Sequence, residues 1–598
     1  MDRKGLIAIS LAIIVLIVWQ VKFAPKLATA PAPSASAKTT GTNSTPVIAP
    51  APGSSGVSMR AATPLTDQSQ PQSAQQQQQQ TNVAESLQKA ASPSVEYSFT
   101  NLGGGIARAA LLKHEGEKGS HVVLNEFGSL AIGAISEEQP GEGANEPYNV
   151  TINAQSGDVV CERTGTNGLQ IVKKFTLPKS TKDTEEYVVN LDVSFTNRGA
   201  QPYQSRSFWI YTGSAAPIHQ NDQPRYTLFE WLRGGKPRFI DVNWFAAKSI
   251  PLLGIQRQPE RPYFSETTDN VSWAAVTSQY FSTILTPDAA NSANGAKGIG
   301  VWAHRFSVDL ETRLRAEGSS SLYPFAVEGA LEMPGFTLAS GQSATQSFNI
   351  FAGPKLYNTL NKLGHGEGEI MNFGMFGFVS KILLSSMQWL HSVTGSYAFA
   401  IILLTICIRG VLWPLQNRAT QSMKQMQALQ PKMNELREKY KDDPARMNQE
   451  LMKVYKEYHI NPFSGCLPMF VQIPVFFGFY AMLGTAIELR GSHFLWVHDL
   501  SQPDTIFHIG SMPVNVLPLC MAATMLFQMH LTPKSGDQTQ QKVMMFVPLI
   551  FVVFCYNYAS ALALYWTVQN LFSIVQLYIT RNRTAPVPVK ATPARKRR

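Results

Sequence analysis

Five long apolar runs follow one another in the last third of this chain and restrict what it can fold into. They cover approximately residues 397–416, 468–487, 512–530, 543–558 and 561–580. An apolar stretch of about 20 residues is long enough to cross a bilayer as a helix, in which each backbone group finds its hydrogen bond within the segment. The sequence therefore predicts an α-helical membrane protein in this region.

A sixth apolar run lies near the N-terminus, at residues 5–21, directly after a short charged segment. The only small-residue cleavage candidate, at residues 27–30, is weak, which favours an uncleaved anchor at residues 1–23 over a signal peptide. Residues 24–93 consist largely of Pro, Ala, Ser, Thr and Gln, with almost nothing apolar to bury. This composition is typical of a disordered linker.

Residues 94–355 show a period of two that differs from the flanking segments. The alternation is clearest between residues 187 and 196, where one face would carry Tyr187, Val189, Leu191, Val193 and Phe195. Side chains of a β-strand point alternately to its two faces, so this pattern predicts half-buried strands. Similar short runs recur between Gly, Asn and Pro clusters, which predicts an antiparallel β-sandwich.

An amphipathic helical pattern follows at residues 370–391. Its length would permit a membrane span, but Lys381 lies at the middle and Gly374 and Gly377 lie near the start. A charge at the middle of a span is costly, whereas an amphipathic helix keeps its polar face in water. The pattern therefore favours a helix lying in the membrane interface.

The distribution of basic residues predicts the orientation of the spans. Residues 417–461 contain nine Lys or Arg, whereas residues 488–511 contain only Arg490. Basic loops stay in the cytoplasm, so residues 417–461 are predicted to form a cytoplasmic helical hairpin. With six spans, both termini and the basic tail at residues 581–598 lie inside and the β-domain lies outside, which in a bacterium is the periplasm.

Arg409 lies within the apolar run at residues 397–416, about 10 Å from its predicted cytoplasmic edge at a rise of 1.5 Å per residue. A charge at such a depth costs roughly 2.5–3.5 kcal/mol on insertion scales. None of the six runs contains Asp or Glu, so no other span can supply an ion pair. Two interpretations remain: the side chain reaches toward the interface, or it lines a hydrated cavity open to the cytoplasm.

Four further polar residues are candidates for the same cavity. Thr405 lies one turn before Arg409. Gln472 lies within the run at residues 468–487, and Gln569 and Asn570 lie within the run at residues 561–580. Amides within a membrane also form hydrogen bonds between helices, so their coincidence with Arg409 is what favours a shared site.

Other classes of chemistry have no support in the sequence. The five cysteines have no metal-ligand spacing and predict no disulfide framework, and no G-x-x-x-x-G-K-[ST] loop is present. We therefore expect no metal, no cofactor and no enzymatic activity.

The net charge of +10 suggests acidic partners, and the basic tail could bind anionic lipid or RNA.

Several short segments resemble the YidC/Oxa/Alb insertase family. They are Ile408-Arg409-Gly410, Leu429-Gln430-Pro431-Lys432, Asn461-Pro462, Gln472-Ile473-Pro474, Trp496-Val497-His498-Asp499-Leu500 and Leu564-Tyr565. The resemblance extends over the whole chain and corresponds to the form found in Gram-negative bacteria. It implies an external all-β supersandwich domain and a five-span insertase core at residues 396–580 that includes the hairpin.

The resemblance also implies roles for individual residues. Arg409 is similar to the groove arginine of the family, and Thr405 and Gln472 are similar to its polar neighbours. Tyr565 and Trp566 resemble the pair that flanks an incoming segment, although family members commonly have a second tyrosine where this chain has Trp566. A hydroxyl contact at residue 566 is therefore not expected to be available.

The function implied is that of a membrane protein insertase and chaperone. It would move hydrophobic segments of nascent proteins into the bilayer through a hydrophilic groove open to the cytoplasm and to lipid. The expected partners are nascent membrane proteins, the lipid bilayer, the Sec translocon and the ribosome, the last through the basic tail and the hairpin, with no role for DNA. The expected location is the bacterial inner membrane.

Two other functions belong to different classes. A small-anion transporter or channel could use Arg409 as its binding group, although no internal repeat or discontinuous helix is evident. A carbohydrate-active enzyme could be anchored by the spans, but the histidines of residues 94–355 are scattered and nominate no catalytic pair.

Overall fold

The computed structural model describes residues 83–116, 119–180, 185–218, 222–249, 256–292, 297–308, 325–441, 443–458, 467–510, 512–532, 546, 549–553 and 555–580. The predicted anchor at residues 1–23, most of the predicted linker and the basic tail at residues 581–598 lie outside these ranges. Six of the sixteen residues of the predicted span at residues 543–558 also lie outside them.

Antiparallel strands occupy most of the described residues between 87 and 354. They are β1 (Leu87–Ala91), β2 (Val95–Thr100), β3 (Gly105–Glu115), β4 (His121–Leu124), β5 (Ile135–Ser136), β6 (Asn149–Ile152), β7 (Val159–Thr164), β8 (Leu169–Thr176), β9 (Val188–Asn197), β10 (Tyr203–Gln204), β11 (Ser207–Ala215), β12 (Leu228–Arg233), β13 (Lys236–Asp241), β14 (Lys248–Ser249), β15 (Gln256–Gln258), β16 (Tyr263–Thr277), β17 (Phe281–Asp288), β18 (Gly298–Ser307), β19 (Phe325–Pro334), β20 (Thr337–Leu338) and β21 (Ser343–Pro354).

Two sheets of this region pack face to face. The larger sheet has the order β5-β11-β19-β18-β16-β17-β21-β9-β8-β7-β6, with β12 pairing both β13 and β16, and the smaller sheet has the order β1-β2-β3-β4. The rings of Phe99 on β2 and Phe175 on β8 meet edge to face with centroids 5.1 Å apart. The predicted antiparallel β-sandwich is confirmed.

Strand β9 shows why the sequence folds in this way. Val189, Leu191, Val193 and Phe195 are buried, and the residues between them are less buried or exposed. Strand β9 pairs with β8 on one side and β21 on the other, so its apolar face joins a continuous core. The alternation in the sequence therefore sets the face of the strand.

The predicted linker ends too late. Residues Leu87–Ala91 form β1, which pairs antiparallel with β2, although they belong to the range predicted as linker. Within this strand only Ala90 is buried, so the strand is held mainly by its backbone hydrogen bonds. A strand with so little apolar surface gives almost no alternation to detect.

Helices follow the β-domain and alternate with short turns. The α-helices are α1 (Val242–Phe245), α2 (Tyr357–Leu363), α3 (Gly377–Thr394), α4 (Tyr397–Ala428), α5 (Gln430–Lys439), α6 (Pro444–Glu457), α7 (Leu467–Thr485), α8 (Val516–Leu531) and α9 (Ser560–Thr580). Single 3₁₀ turns lie at Pro224–Tyr226, Glu367–Met371, Gly374–Phe376 and Ile487–Leu489. A β-hairpin of β22 (Thr505–Ile509) and β23 (Met512–Asn515) connects the region of α7 to α8.

The amphipathic helix α3 begins later than the pattern at residues 370–391 predicts. Gly374 has a φ of +69°, which an α-helix does not allow, and only a 3₁₀ turn forms there. The helix ends at Gly395, whose φ of +68° places it in the left-handed region. The large apolar residues Phe378, Ile382 and Trp389 are exposed on α3, as expected for a helix that contacts lipid.

Helix α4 extends well beyond the apolar run that predicts a span at residues 397–416. It continues to Ala428, so the first part of the segment predicted as a hairpin belongs to the same helix. Helices α5 and α6 then follow, and the side chain of Asp443 caps α6 by accepting a hydrogen bond from the backbone of Arg446. Polar residues with good helix propensity continue the helix past the end of its apolar part.

Within the described residues, two helices are long and apolar enough to cross a membrane, α4 and α9. Shorter apolar helices lie at Phe470–Thr485 and Val516–Leu531.

Helices α3 and α7 approach each other closely at Gly478, where a Cβ atom would lie 2.8 Å from Val379. Ser380 donates a hydrogen bond of 3.0 Å to the carbonyl of Gly478.

The β-domain contacts the helical region through a cluster around Arg225. The guanidinium lies 4.7 Å from the ring centroid of Tyr226, 5.3 Å from that of Tyr480 on α7 and 5.9 Å from that of Tyr558, just before α9. The hydroxyls of Tyr226 and Tyr558 are 3.3 Å apart. We call these four residues the Arg225 clamp. It joins the β-domain to two parts of the helical region.

Removing the central cation should loosen this contact. Arg225→Ala removes three cation–π contacts, and we expect the β-domain to separate from the helices more easily by about 1 kcal/mol. Hydrogen–deuterium exchange of the purified protein should then be faster at residues 224–226 and 556–560. Arg261→Ala is the matched control, since Arg261 lies over Trp244, 4.2 Å from its centroid, inside the β-domain. Equal exchange in both variants would contradict a role for the clamp in docking.

Candidate functional site

Arg409 is half-buried on α4 and has few partners. Its Nε atom is buried without a hydrogen-bond partner, and no ion pair involves its side chain among the residues that the structure describes. The phenol of Tyr565 on α9 lies close enough to interact electrostatically with the guanidinium. The charge is therefore available to an external group.

Gln472 and Gln569 meet at Tyr565 near this arginine. The Nε2 atom of Gln472 donates to the Tyr565 hydroxyl at 3.0 Å and to Oε1 of Gln569 at 3.2 Å. The ring of Tyr565 stacks on Phe479 of α7, with centroids 4.1 Å apart and planes inclined by 20°. The stacking and the two hydrogen bonds connect α7 to α9 and fix the phenol beside Arg409.

Thr405 lies one turn before Arg409 and is buried. Its hydroxyl donates to the carbonyl of Ile401 at 2.7 Å, within the same helix. The proton of this hydroxyl is thus used internally, and only the oxygen lone pairs remain to accept a hydrogen bond.

Trp566 belongs to an aromatic cluster. Its ring centroid lies 5.0 Å from that of Phe476 on α7 and 4.8 Å from that of Phe551. The side chain is almost fully buried. In this structure, Trp566 packs helices together next to the polar residues rather than among them.

Asn570 contacts a different neighbour from the other candidates. Its Nδ2 atom donates to the carbonyl of Met521 at 3.4 Å and to the Thr524 hydroxyl at 3.2 Å, both on α8. The structure therefore brings Arg409, Gln472, Tyr565 and Gln569 together, and it places Asn570 against α8.

This placement predicts different effects for two adjacent amides. Asn570→Leu should lower the stability of the helical region by on the order of 0.6 kcal/mol, the average for hydrogen bonds between membrane helices. For the insertion activity that the family resemblance implies, Asn570→Leu should leave the rate nearly unchanged, whereas Gln569→Leu should lower it because Gln569 lies next to Gln472. Thermal unfolding in detergent and an insertion assay measure the two effects. A stronger insertion defect in Asn570→Leu than in Gln569→Leu would contradict the assignment.

A longer polar row on α9 escaped the sequence interpretation. It consists of Tyr565, Gln569, Ser573, Gln576 and Thr580, all buried, and we call it the polar seam. Residues three or four apart lie on one face of a helix, so their spacing was the signal that could have revealed it. The row spans about 22 Å at 1.5 Å per residue.

The polar seam contacts α4 near its far end. Gln576 donates to Oδ1 of Asn417 at 3.1 Å, and the Lys424 ammonium donates to the carbonyl of Thr580 at 2.9 Å. Between these contacts and Tyr565, the rings of Trp413 and Phe572 meet edge to face at 5.5 Å. Polar groups therefore lie at both ends of the α4–α9 contact, with an aromatic pair between them.

No group of three or more His, Cys, Asp or Glu side chains in the described ranges is arranged to hold a metal ion. The chemistry of the site is that of an isolated cation, amides and hydroxyls. Such groups can solvate a polar segment by hydrogen bonding and electrostatics, without forming a covalent bond.

Comparison with known proteins places the chain in a family. Residues 88–386 match the family described as YidC periplasmic domain, and residues 389–586 match the family described as 60Kd inner membrane protein. The membrane protein insertase YidC of Nitratidesulfovibrio vulgaris (strain DP4) is 32% identical over 496 residues, which cover 79% of this chain and 83% of that protein. The chain belongs to the YidC family of membrane protein insertases.

Other YidC relatives match over a shorter range. The YidC insertase of Syntrophus aciditrophicus is 40% identical over 311 residues, and that of Syntrophobacter fumaroxidans is 42% identical over 277 residues. The chain spans about half the length of these two relatives, 52% and 50%. Family membership makes this chain an inner-membrane protein with a large periplasmic β-sandwich domain.

Solved structures show a looser similarity. A crystal structure of an active YidC insertase with its first transmembrane domain resolved is 16% identical, with a TM-score of 0.33, and the match covers 84% of this chain and 93% of that chain. A galactose mutarotase-like protein from Lactobacillus casei is 8% identical, with a TM-score of 0.25, and covers 45% of this chain and 100% of its own. Neither superposition is close enough to support an argument about function.

Proposed function

We propose that this chain inserts hydrophobic segments of nascent proteins into the inner membrane by way of a hydrophilic groove at Arg409. The observation that carries this proposal is a half-buried guanidinium with no ion pair in the described ranges, located at one end of the polar seam. A buried unpaired charge destabilises a membrane protein unless water or a substrate solvates it. Membership of the YidC family supports the same activity.

In this mechanism, a hydrophobic segment moves along α7 and α9 while its hydrophilic flank rests near Arg409. The flank then crosses only part of the bilayer without polar contacts, which lowers the cost of desolvation. The arginine attracts acidic groups more strongly than it would in water, because the local dielectric is lower. Burial of the segment in lipid drives the reaction, so no covalent step and no cofactor are required.

The proposed topology has six spans, with the anchor at residues 1–23 and the core at residues 396–580. Both termini and the hairpin would lie in the cytoplasm. The excess of basic residues at 417–461 and 581–598 supports this orientation. The basic tail and hairpin would contact the ribosome, and the periplasmic domain would contact the Sec translocon.

Arg409, Thr405, Gln472, Gln569 and Tyr565 are the proposed groove residues. Trp566 would contribute an apolar wall, because it packs with Phe476 and Phe551. Asn570 was also a candidate, and its hydrogen bonds to α8 support a structural role instead.

A paired assay in liposomes tests the proposal. Purified protein should promote protease-resistant insertion of a short membrane protein with an acidic tail, and the same vesicles should show no added flux of small anions. Empty liposomes provide the background for both measurements. Anion flux without insertion would favour a transporter and contradict the proposal.

A further inference from the structure

The external hairpin β22–β23 is fixed at its base. Asn515 donates to the carbonyl of Tyr556 at 2.6 Å, and the Tyr556 hydroxyl donates to the carbonyl of Pro513 at 2.7 Å. Asp504 accepts hydrogen bonds from the backbone of Leu517 at 2.6 Å and from the indole of Trp496 at 3.2 Å. These contacts hold the start of α8 and the base of the hairpin together.

The rest of the hairpin is apolar and exposed. The exposed fractions are 51% for Ile506, 53% for Phe507, 68% for Ile509 and 65% for Met512. Residues 505–515 contain no Asp, Glu, Lys or Arg. Exposed large apolar residues grouped in this way mark a surface that contacts a partner or a membrane.

The hairpin lies on the same side as the β-domain. Gln279 of the β-domain donates to the carbonyl of Gly484 at 2.9 Å, and the Tyr280 hydroxyl donates to that of Ser501 at 3.4 Å. Gly484 lies at the end of α7, and Ser501 lies a few residues before β22. The hairpin is therefore periplasmic if the β-domain is.

Helix α8 is too short to cross the bilayer alone. Its 16 residues span about 24 Å at 1.5 Å per residue, against roughly 30 Å of hydrocarbon. A helix this short leaves several ångströms of the apolar layer for neighbouring chain to fill or for the bilayer to thin. The hairpin β22–β23 directly precedes α8 in the chain.

The apolar exposure continues from the hairpin along α8. Leu519, in the first turns of the helix, and Leu526 and Phe527, further along, are exposed. These side chains face lipid if α8 spans the membrane. The exposed apolar residues of the hairpin are thus followed directly in the chain by a helix that also exposes large apolar residues.

We propose that the hairpin β22–β23 lies at the surface of the outer leaflet, with Phe507, Ile509 and Met512 on the face that contacts lipid. Pairing of the two strands satisfies the backbone groups on their facing edges, and the groups on the two outer edges stay hydrated in the interface. Lipid is the occupant that the short helix and the exposed apolar residues of α8 favour.

Depth-dependent quenching tests this assignment. The five native cysteines are replaced, and single cysteines at Phe507→Cys and Ile509→Cys are labelled with the fluorophore NBD. The full-length protein is reconstituted in vesicles of phosphatidylcholine and phosphatidylglycerol. We expect a blue-shifted emission and several-fold stronger quenching by nitroxide-labelled lipid than by aqueous iodide.

Gln155→Cys provides the matched control. Gln155 is exposed in the turn between β6 and β7, another hairpin of the chain, and its label should be quenched by iodide and not by lipid. Iodide quenching at residues 507 and 509 equal to that at 155 would overturn the proposal. Protection from both quenchers would also overturn it, because a protein surface would then cover the hairpin.

Discussion

Arg409→Ala should reduce the rate of insertion of an acidic-tailed substrate by about tenfold. We expect the groove to remove about half of the roughly 2.5–3.5 kcal/mol that a charged group costs within a bilayer. A loss of about 1.4 kcal/mol corresponds to a factor of ten in rate. The measurement is the initial rate of protease-resistant insertion into liposomes that contain equal amounts of wild-type or variant protein.

Two further variants distinguish charge from geometry. Arg409→Lys should retain much of the activity if the positive charge is what matters, since lysine keeps the charge without the planar guanidinium. Arg418→Ala is the matched control, because Arg418 lies on the same helix but is exposed. Full activity of both Arg409 variants would count against a groove role for this residue.

Lys355→Met should destabilise the β-domain by about 3 kcal/mol, because it leaves the buried carboxyl of Glu230 without the nearby opposite charge that offsets its burial. Glu230 and Lys355 are both almost fully buried. Burial raises the pKa of Glu230 and lowers the pKa of Lys355, and the opposite charges offset part of each shift. One oxygen of Glu230 accepts from Thr277 at 2.9 Å, and the other has no hydrogen-bond partner in the part of the chain that the structure describes.

Urea unfolding of the full chain in detergent, followed by tryptophan fluorescence, measures this effect. Lys89→Met is the control, because Lys89 and Glu96 form an exposed pair at 2.7 Å whose loss should cost roughly 0–1 kcal/mol. The double variant Glu230→Met with Lys355→Met should recover most of the stability. If Lys355→Met is no less stable than Lys89→Met, the buried pair does not stabilise the domain.

The features that the sequence could predict depend on patterns of apolar and polar side chains along the chain. The alternation at β9 and the long apolar runs depend on local side-chain chemistry, and they led to the β-sandwich and the helical region. Arg409 stood out because no acidic residue shares its apolar surroundings. A single charged residue in an apolar segment can be recognised from the sequence alone.

Contacts between distant segments explain what the sequence could not predict. Gln569 and Asn570 are adjacent in the chain, yet one contacts α7 and the other contacts α8. Helical rotation of about 100° per residue separates their directions, and only the packing decides which neighbour each amide meets. The hydrogen bond from Gln472 to Tyr565 joins residues far apart in sequence for the same reason.

Lys173 illustrates a similar difficulty in the β-domain. It occupies an inward position of β8 and is fully buried. Its ammonium donates to the carbonyls of Gly103, Gly104 and Gly133 at 2.6, 3.1 and 2.9 Å. The alternation pattern would place an apolar residue here, and the three acceptors that allow a lysine come from loops far away in the sequence.

The Arg225 clamp connects the β-domain mechanically to the helices that carry the groove residues. Tyr480 lies on α7, which carries Gln472, and Tyr558 lies just before α9, which carries Gln569. A pull on the β-domain from the periplasmic side is thus transmitted to the two helices that hold the groove amides.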